Sequence, residues 1–528
     1  MEPSADPALT ARWVALATGT LDDLLSHAPE WATSVGDHRF DERLDDLSAD
    51  GRAAARRALS ARRDELDSLA TDALAPQDQV DAEILRTGLD AQLLELDVLR
   101  SPERDPLVWL PGEALFPLLD RETLPPADRL RSLAARLGQV PDRLMLARRT
   151  VTDPSRVHAE TAVGQTDGAI ALAGDEVSRQ LAREPSLRGL VEPAQQAALA
   201  ALREHRGALA AQAETAGGEW RLGPERYAAK LHLTLDSAHG ADEVVRRAWA
   251  HLDEVTAALT EVAGADVRAA LDACGADALD DASIVGLAER AVAEATDTVR
   301  RLGILALPDD PMRIEVMPEF RRGVSVAYCD PPGPLDPDGL PTSFAISPTP
   351  ADWSPERVRS FYREYNTAMI TNLTVHEAMP GHVVQLALAR RFRGSTPVRA
   401  VLWSSPFAEG WAVHAEEIMA VAGHGGRAVR LQQLKMQLRM TLNAILDHGA
   451  HAGGLTEDEA MALMRDRGFQ EEGEAHGKWR RAVLTSTQLS TYFVGYAELA
   501  PLVSARSTYD DLLAYGTLPP RHLAGLLG

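Results

Sequence analysis

From its start to about residue 305, the chain repeats apolar residues at spacings of three and four, and this pattern limits the fold more than any other feature. "LSADGRAAARRALSARRDELDSLA", "DQVDAEILRTGLDAQLLELDVLR" and "ADEVVRRAWAHLDEVTAALTEVA" all show it. The spacing gathers apolar side chains on one stripe of an α-helix, and each segment opens with a cap of the Ser, Asp or Asn type. Near residue 306 the pattern breaks into the proline-rich "LPDDPMRIEVMPEFRRGVSVAYCDPPGPLDPDGLPTSFAISPTP". Within it "RIEVMP", "GVSVAYC" and "TSFAIS" alternate in the manner of short strands. After Ser354, a cap, and Pro355 at the first helical position, helical patterning resumes to the end. The expected fold is mainly α, with a small β-sheet beside a central active-site cleft. Residues 1–305 form a helical N-terminal region and 306–528 a catalytic region. At 528 residues and 45% hydrophobic, the chain buries a large core.

The charge balance removes two classes of partner. A net charge of −24 leaves no basic face for nucleic acid or an anionic membrane. Of the 54 basic residues only Lys230, Lys435 and Lys478 are lysines, which reads as compositional bias. Cys274 and Cys329 are two cysteines in a long chain, so neither a disulfide framework nor a thiolate metal cluster is expected, in keeping with a reducing compartment. The N-terminal "MEPSADPALTARWVALATGT" lacks a basic region followed by an apolar core, and no run of about 18 apolar residues occurs anywhere. A cytoplasmic protein is expected.

The chemistry begins at "VHEAMPGH", residues 375–382. Two histidines four apart on a helix differ by about 40° around its axis and can share a metal ion, with the glutamate beside them as base. Six apart, His376 and His382 would differ by about 240° on an unbroken helix. Pro380 removes the backbone donor that would meet the His376 carbonyl, and Gly381 tolerates angles closed to other residues. Together they would let the extra residues bulge out and return His382 to the face of His376. A second reading is a helix that stops at the Pro-Gly pair, with His382 opening the next segment. The octapeptide leaves both open.

Downstream, "SSPFAEGWAVHAEEIMA" offers a third ligand. Ser405 caps a helix, Pro406 takes its first position, and Glu409 falls in its first turn beside Gly410. Glu409 sits among Phe407, Ala408, Trp411, Ala412 and Val413, an expensive setting for an unpaired carboxylate. Two neutral imidazoles and one carboxylate around a divalent ion relieve that cost and leave a fourth position for water. Two turns further along the same face, Glu416 is placed to orient a ligand histidine. The alternative is an acidic amphipathic helix with a solvated face.

"HEAMPGH" followed by "EGWA", whose Glu409 lies 27 positions beyond His382, resembles a bacterial family of uncharacterised, helix-rich zinc-peptidase-like proteins. "PEWATSVGDHRFDERLDDLS", "NAILDHGAHAGGLTEDEA" and "TQLSTYFVG" extend the resemblance over nearly the whole chain. That family is similar to glutamate-zincin metallopeptidases, which implies His376, His382 and Glu409 as metal ligands and Glu377 as general base. The chain departs from the family where His414 stands for a frequent tyrosine, and where Asn443 and "DHG" stand for an arginine and "DTG"; many relatives look exported, whereas no signal is visible here. These departures bear on substrate choice.

Further residues have two readings each. Tyr492 is either a hydrogen-bond donor to a developing oxyanion or a buried aromatic. His448 and His451 either line the pocket or serve a helix C-terminus. Arg480 and Arg481 either grip a substrate carboxylate or lie on the surface. The sequence thus points to a Zn²⁺-dependent hydrolase of a small peptide or amide substrate. A non-haem iron oxygenase or another biosynthetic metalloenzyme on the same two-His-one-Glu set ranks second, and a non-catalytic helical binding protein third.

Overall fold

The computed structural model describes residues 6–276, 279–317, 322 and 325–527. The first five residues, Pro318 of the first expected strand, and Gly323 and Val324 of the second lie outside them. The fold is mainly α with one small sheet, as the patterning predicts. Of the three helix starts expected to carry side-chain caps, one does: Ser48 accepts from the Gly51 N–H. The helices Pro76–Leu94 and Ala241–Ala263 begin at Ala75 and Gly240, and their acidic residues, Asp78, Asp242 and Glu243, lie inside the first turn, where they face the positive end of the helix dipole.

The sheet has the order β1-β3-β2, with β1 at Met312–Val316, β2 at Ala327–Asp330 and β3 at Thr342–Ile346. β1 runs parallel to the central β3, with Ile314 opposite Phe344. β2 runs antiparallel to it, with Cys329 opposite Phe344, and is an edge strand. Phe344 and Ile346 are buried, as the alternation in "TSFAIS" predicts, and Ala345 between them is buried too, as in a central strand covered on both faces.

Two compact units are present. The change from helices to strands occurs where the composition changes, between Leu302 and Met312, while the units part at Trp220 and Arg221. The first unit comprises Met1–Trp220, Pro332–Leu340 and Ser395–Val401. Its helices close on Leu115, Leu133, Leu137, Leu144 and Leu202. Arg136 is fully buried among them, yet its guanidinium reaches the carbonyls of Arg43, Ala114 and Pro29 and the Thr33 hydroxyl, so its donors are satisfied.

In the same unit the stretch "GDHRFD" closes a long-range clip. His38 Nδ1 lies 2.8 Å from an Asp41 oxygen and Nε2 lies 2.8 Å from an Asp336 oxygen. Gly36, at φ 87°, allows the approach, because a Cβ there would lie 2.5 Å from the Asp336 nitrogen. The two carboxylates outweigh burial and raise the His38 pKa to about 9. A group raised in this way stabilises fully below its unfolded pKa of about 6.5 and loses that contribution as pH climbs through about 9. Unfolding free energies from denaturant titrations between pH 6 and pH 10 should therefore fall more steeply for the wild type than for His38→Gln, the difference approaching ~3 kcal/mol at most. Parallel profiles would show that the clip adds nothing.

The second unit comprises Arg221–Pro331, Pro341–Gly394 and Leu402–Gly528. Helices Ala241–Ala263, Gly426–His448 and Ser490–Ser504 share a core containing Leu252, Leu438, Leu442 and Phe493. Helices Ile284–Leu302 and Thr367–Glu377 pack with the sheet around Ala288, Phe344, Ile346 and Ile370. The Ser405–Val421 helix packs against both Thr367–Glu377 and Ser490–Ser504. Its contact with the latter is backbone to backbone: a Cβ on Gly495 would lie 1.8 Å from the Pro406 oxygen, and one on Gly410 would lie 2.3 Å from the Gly495 carbonyl carbon. Among the described residues no helix is long and apolar enough to cross a membrane.

Candidate metal centre

The first helix of the centre, Thr367–Glu377, starts at Asn366, whose side chain accepts from the Met369 N–H, and ends just past His376. Ala378 caps it, the Met379–Pro380 peptide is cis, and His382 is the first residue of a new helix, His382–Ala389. Of the two readings the octapeptide leaves open, the structure shows the second, a break between two helices, and not a bulge within one. Two contacts hold the break: Gly381 N–H donates to Val375 O at 3.0 Å, and Trp411 Nε1 donates to Pro380 O at 2.9 Å. The tryptophan belongs to the third helix, so the Glu409 element also fixes the turn that delivers His382.

That third helix is Ser405–Val421, capped by Ser404, one residue earlier than expected. Glu409 consequently lies just beyond the first turn. Glu409 Oε2 faces His376 Nε2 at 3.3 Å and His382 Nε2 at 3.5 Å, and the two rings are perpendicular with centroids 4.8 Å apart. One ligand atom from each of the three residues lies within 4.8 Å of the others, an arrangement that could hold a metal ion. Glu409 Oε2 is buried without an aligned hydrogen bond. His376 Nδ1 bonds Glu416 Oε1 at 2.7 Å, which leaves Nε2 turned to the cluster, and the other Glu416 oxygen accepts from Asn372 Nδ2. The donor set fits a borderline divalent ion such as zinc: two imidazole nitrogens and one carboxylate, with one histidine held by a carboxylate behind it.

The electrostatics follow this geometry. Burial pushes the Glu409 carboxyl up, but the two facing imidazoles outweigh it and hold the acid well below its ordinary value. Burial lowers His376, and the carboxylates of Glu409 and Glu416 more than reverse that. Glu377 is raised, first by burial, although the Cys329 backbone N–H on β2 donates to its carboxylate. Tyr492 is partly buried, with its ionisation pushed up by burial and then by the charge of Glu409. Arg481 Nη2 donates to its hydroxyl oxygen at 3.3 Å.

Other candidates are turned elsewhere. His414 stacks on Tyr496 with centroids 4.2 Å apart, its Nε2 lies 2.9 Å from the Tyr496 carbonyl, and burial lowers its pKa to about 4. His451 Nε2 meets the carbonyls of Ala482 and Thr485, both at 2.8 Å, and its ring stacks on Tyr227. His448 meets Tyr227 edge-on. Asp447 of the "DHG" segment accepts from the backbone N–H groups of Thr487 and Ser490 and from the Ser490 hydroxyl, anchoring the start of the helix that carries Tyr492. Arg480 is exposed and Arg481 half-buried. Sequence reasoning missed Asn372, Trp411 as a donor to the turn, and the Cys329 N–H. Only Asn372 left a local signal, a polar residue one helical turn before His376.

The sequence profile described as "Bacterial protein of unknown function (DUF885)" matches residues 29–526. No curated protein matches the chain. Among solved structures, a putative lipoprotein of unknown function from Shewanella oneidensis is similar at 26% identity and a TM-score of 0.81, covering 98% of this chain and 99% of its own. A putative lipoprotein from Colwellia psychrerythraea has 14% identity and a TM-score of 0.80, with 99% of each chain covered. A superposition on an M32 carboxypeptidase from Deinococcus radiodurans R1 reaches a TM-score of only 0.28 at 13% identity, too low to define a shared fold. The lipoprotein relatives overturn the cytoplasmic placement, since lipoproteins are membrane-anchored or exported. That expectation rested on N-terminal composition and on two cysteines, and unpaired thiols so few in number do not distinguish a reducing compartment from an oxidising one.

Proposed function

The chain belongs to this bacterial family of unknown function, and from its site we propose that it is a zinc-dependent hydrolase of peptide or peptide-like amide bonds. The observation that carries the reading is the buried Glu409 oxygen, without a hydrogen-bond partner, set between two imidazole nitrogens. Zinc held by His376, His382 and Glu409 would acidify a bound water toward a pKa of about 7 and polarise an amide carbonyl. Glu377 takes up the proton at its carboxylate and passes it to the amide nitrogen that leaves. The Cys329 backbone N–H on β2 favours the charged form of that carboxylate. Arg481 donates to the Tyr492 oxygen, which leaves the tyrosine hydrogen free to meet the negative oxygen that develops on the substrate. β2, an edge strand bound to Glu377 through Cys329, offers its backbone to an extended substrate.

Protein purified without chelator should carry one zinc per chain by elemental analysis. His376→Ala, His382→Ala and Glu409→Ala should each fall well below that while keeping the helical circular dichroism signal. Full zinc in the Glu409→Ala protein would remove the third ligand and with it this site. Iron in place of zinc, together with oxygen uptake, would move the chain to the oxygenase class.

A further inference from the structure

The helix Glu472–Leu484 places Glu474, Lys478 and Arg481 on one face, by spacings of four and three. Beside them four charges cancel. Glu364 accepts from Lys435 Nζ at 3.0 Å and from Arg439 Nη1 at 3.3 Å, and Arg439 also pairs with Glu474, whose second oxygen takes the Tyr365 hydroxyl at 3.1 Å. Two carboxylates thus meet two cations. Lys478 and Arg481 add two further cations beside them, and neither hydrogen-bonds to either carboxylate. Lys478 is 9% exposed and has no hydrogen bond or ion pair among the described residues. Arg481 donates to Gln488 Oε1 at 3.0 Å and to the Tyr492 hydroxyl, both uncharged.

Four cations and two carboxylates therefore meet here, an excess of two positive charges with Lys478 buried and Arg481 half-buried, in a chain whose net charge is −24. Burial first, then Arg439 and Arg481, lower the Lys478 pKa to about 7 against the opposing charges of Glu474 and Glu364. All but three of the 54 basic residues are arginine, yet a lysine stands here, a compact charge beside the planar fork of Arg481. An excess of positive charge that burial makes unfavourable is expected where a ligand supplies the missing negative charge. Its location says which ligand. Arg481 touches Tyr492, and the Tyr492 hydroxyl feels the charges of both Glu409 and His376.

We propose that Lys478 and Arg481 bind the terminal carboxylate of the substrate, so that the enzyme removes the last residue of a peptide or the amino acid of an N-acyl amino acid. The proposal rests on the hydrolase reading of the neighbouring centre. In such a substrate the carboxylate lies one residue beyond the bond that breaks, and successive Cα atoms are about 3.8 Å apart, so one tyrosine can adjoin both groups. The fork of Arg481 suits the two carboxylate oxygens, and Lys478 adds the second positive charge. Because the same guanidinium holds the Tyr492 oxygen, a bound carboxylate also orients that hydroxyl toward the reacting carbonyl.

The test uses zinc-loaded full-length protein and two peptide libraries that differ only in a free C-terminal acid or a C-terminal amide. Mass spectrometry should show loss of single C-terminal residues from the acids and none from the amides. Lys478→Met should raise KM for the acids by ~10-fold or more with a smaller change in kcat, whereas Arg481→Met should raise KM similarly and lower kcat as well, because that guanidinium also holds the Tyr492 hydroxyl. Equal cleavage of acids and amides would overturn the carboxylate site while leaving the hydrolase intact. Cleavage of neither would count against the hydrolase, and a binding arm then judges the site alone: calorimetric titration with pooled N-acetyl amino acids, their amides and inorganic phosphate. The acids should bind, the amides should not, and both variants should weaken the acids ~10-fold or more. Equal binding of phosphate, or unchanged binding in the variants, overturns the proposal. Misfolding is controlled by the melting temperature: Lys478→Met removes an unbalanced buried charge and should raise it in the ligand-free protein. A fall in melting temperature with binding unchanged would assign Lys478 to structure and overturn its role in recognition.

Discussion

Glu377→Gln should keep one zinc per chain and lower hydrolysis by a factor on the order of 10² to 10⁴, the usual size of general-base catalysis. The amide has the shape of the carboxylate, and its carbonyl oxygen can still accept from the Cys329 N–H, so the end of the helix that carries His376 need not move. What the variant loses is the ability to take up a proton. The loss should therefore appear in kcat and kcat/KM together, because nothing in substrate binding has been removed. Elemental analysis and turnover on whichever peptide the library reveals are the two measurements. Full turnover in the glutamine protein would sink the hydrolase mechanism, since among the described residues Glu377 is the carboxylate beside both histidines that is not itself a candidate ligand. A parallel loss of zinc would move Glu377 from proton transfer to metal binding.

What the sequence made legible was local. Alternation in "TSFAIS" marks β3 and its buried Phe344 and Ile346, but Ala345 between them is buried as well, which only the tertiary packing decides. Spacing and apolar neighbours single out His376, His382 and Glu409, and the fold brings these three together. Which of the two readings of Pro380–Gly381 holds, a bulge or a break, was not legible locally for a physical reason. A pattern along one chain treats the two histidines as points on one helix, whereas the donor to Pro380 O is Trp411 of another element, 31 residues away. Glu416 and Asn372 are 44 residues apart, and His38 and Asp336 are 298 apart, so neither pairing has a local signature. Lys478 was hidden differently. Composition counts three lysines and sees bias, because it carries no information about which charge is buried without a partner.

Gly381→Ala tests the break directly and should weaken zinc binding on the order of 10²-fold although no ligand is touched. The argument is one of space. A Cβ on Gly381 would lie 1.8 Å from the His376 carbonyl oxygen and 2.4 Å from that of Val375, and both obstacles are backbone. No rotamer change relieves such overlap. Either the last turn of the Thr367–Glu377 helix moves, taking His376 with it, or the start of the next helix moves, taking His382. The Gly381 N–H to Val375 O bond shows how closely the two already approach. Each shift separates the imidazoles from Glu409, and a metal ion tolerates little error in the positions of its ligands. Gly477→Ala is the control: it lies within a helix, a Cβ there meets nothing within 4 Å, and helix propensity favours alanine by up to about 1 kcal/mol. Chelator competition should show normal zinc affinity in the control and the loss in Gly381→Ala, with similar circular dichroism in both. Wild-type affinity in Gly381→Ala would mean that the turn can be rebuilt around a methyl group without moving either histidine, and that close backbone packing is not what places them.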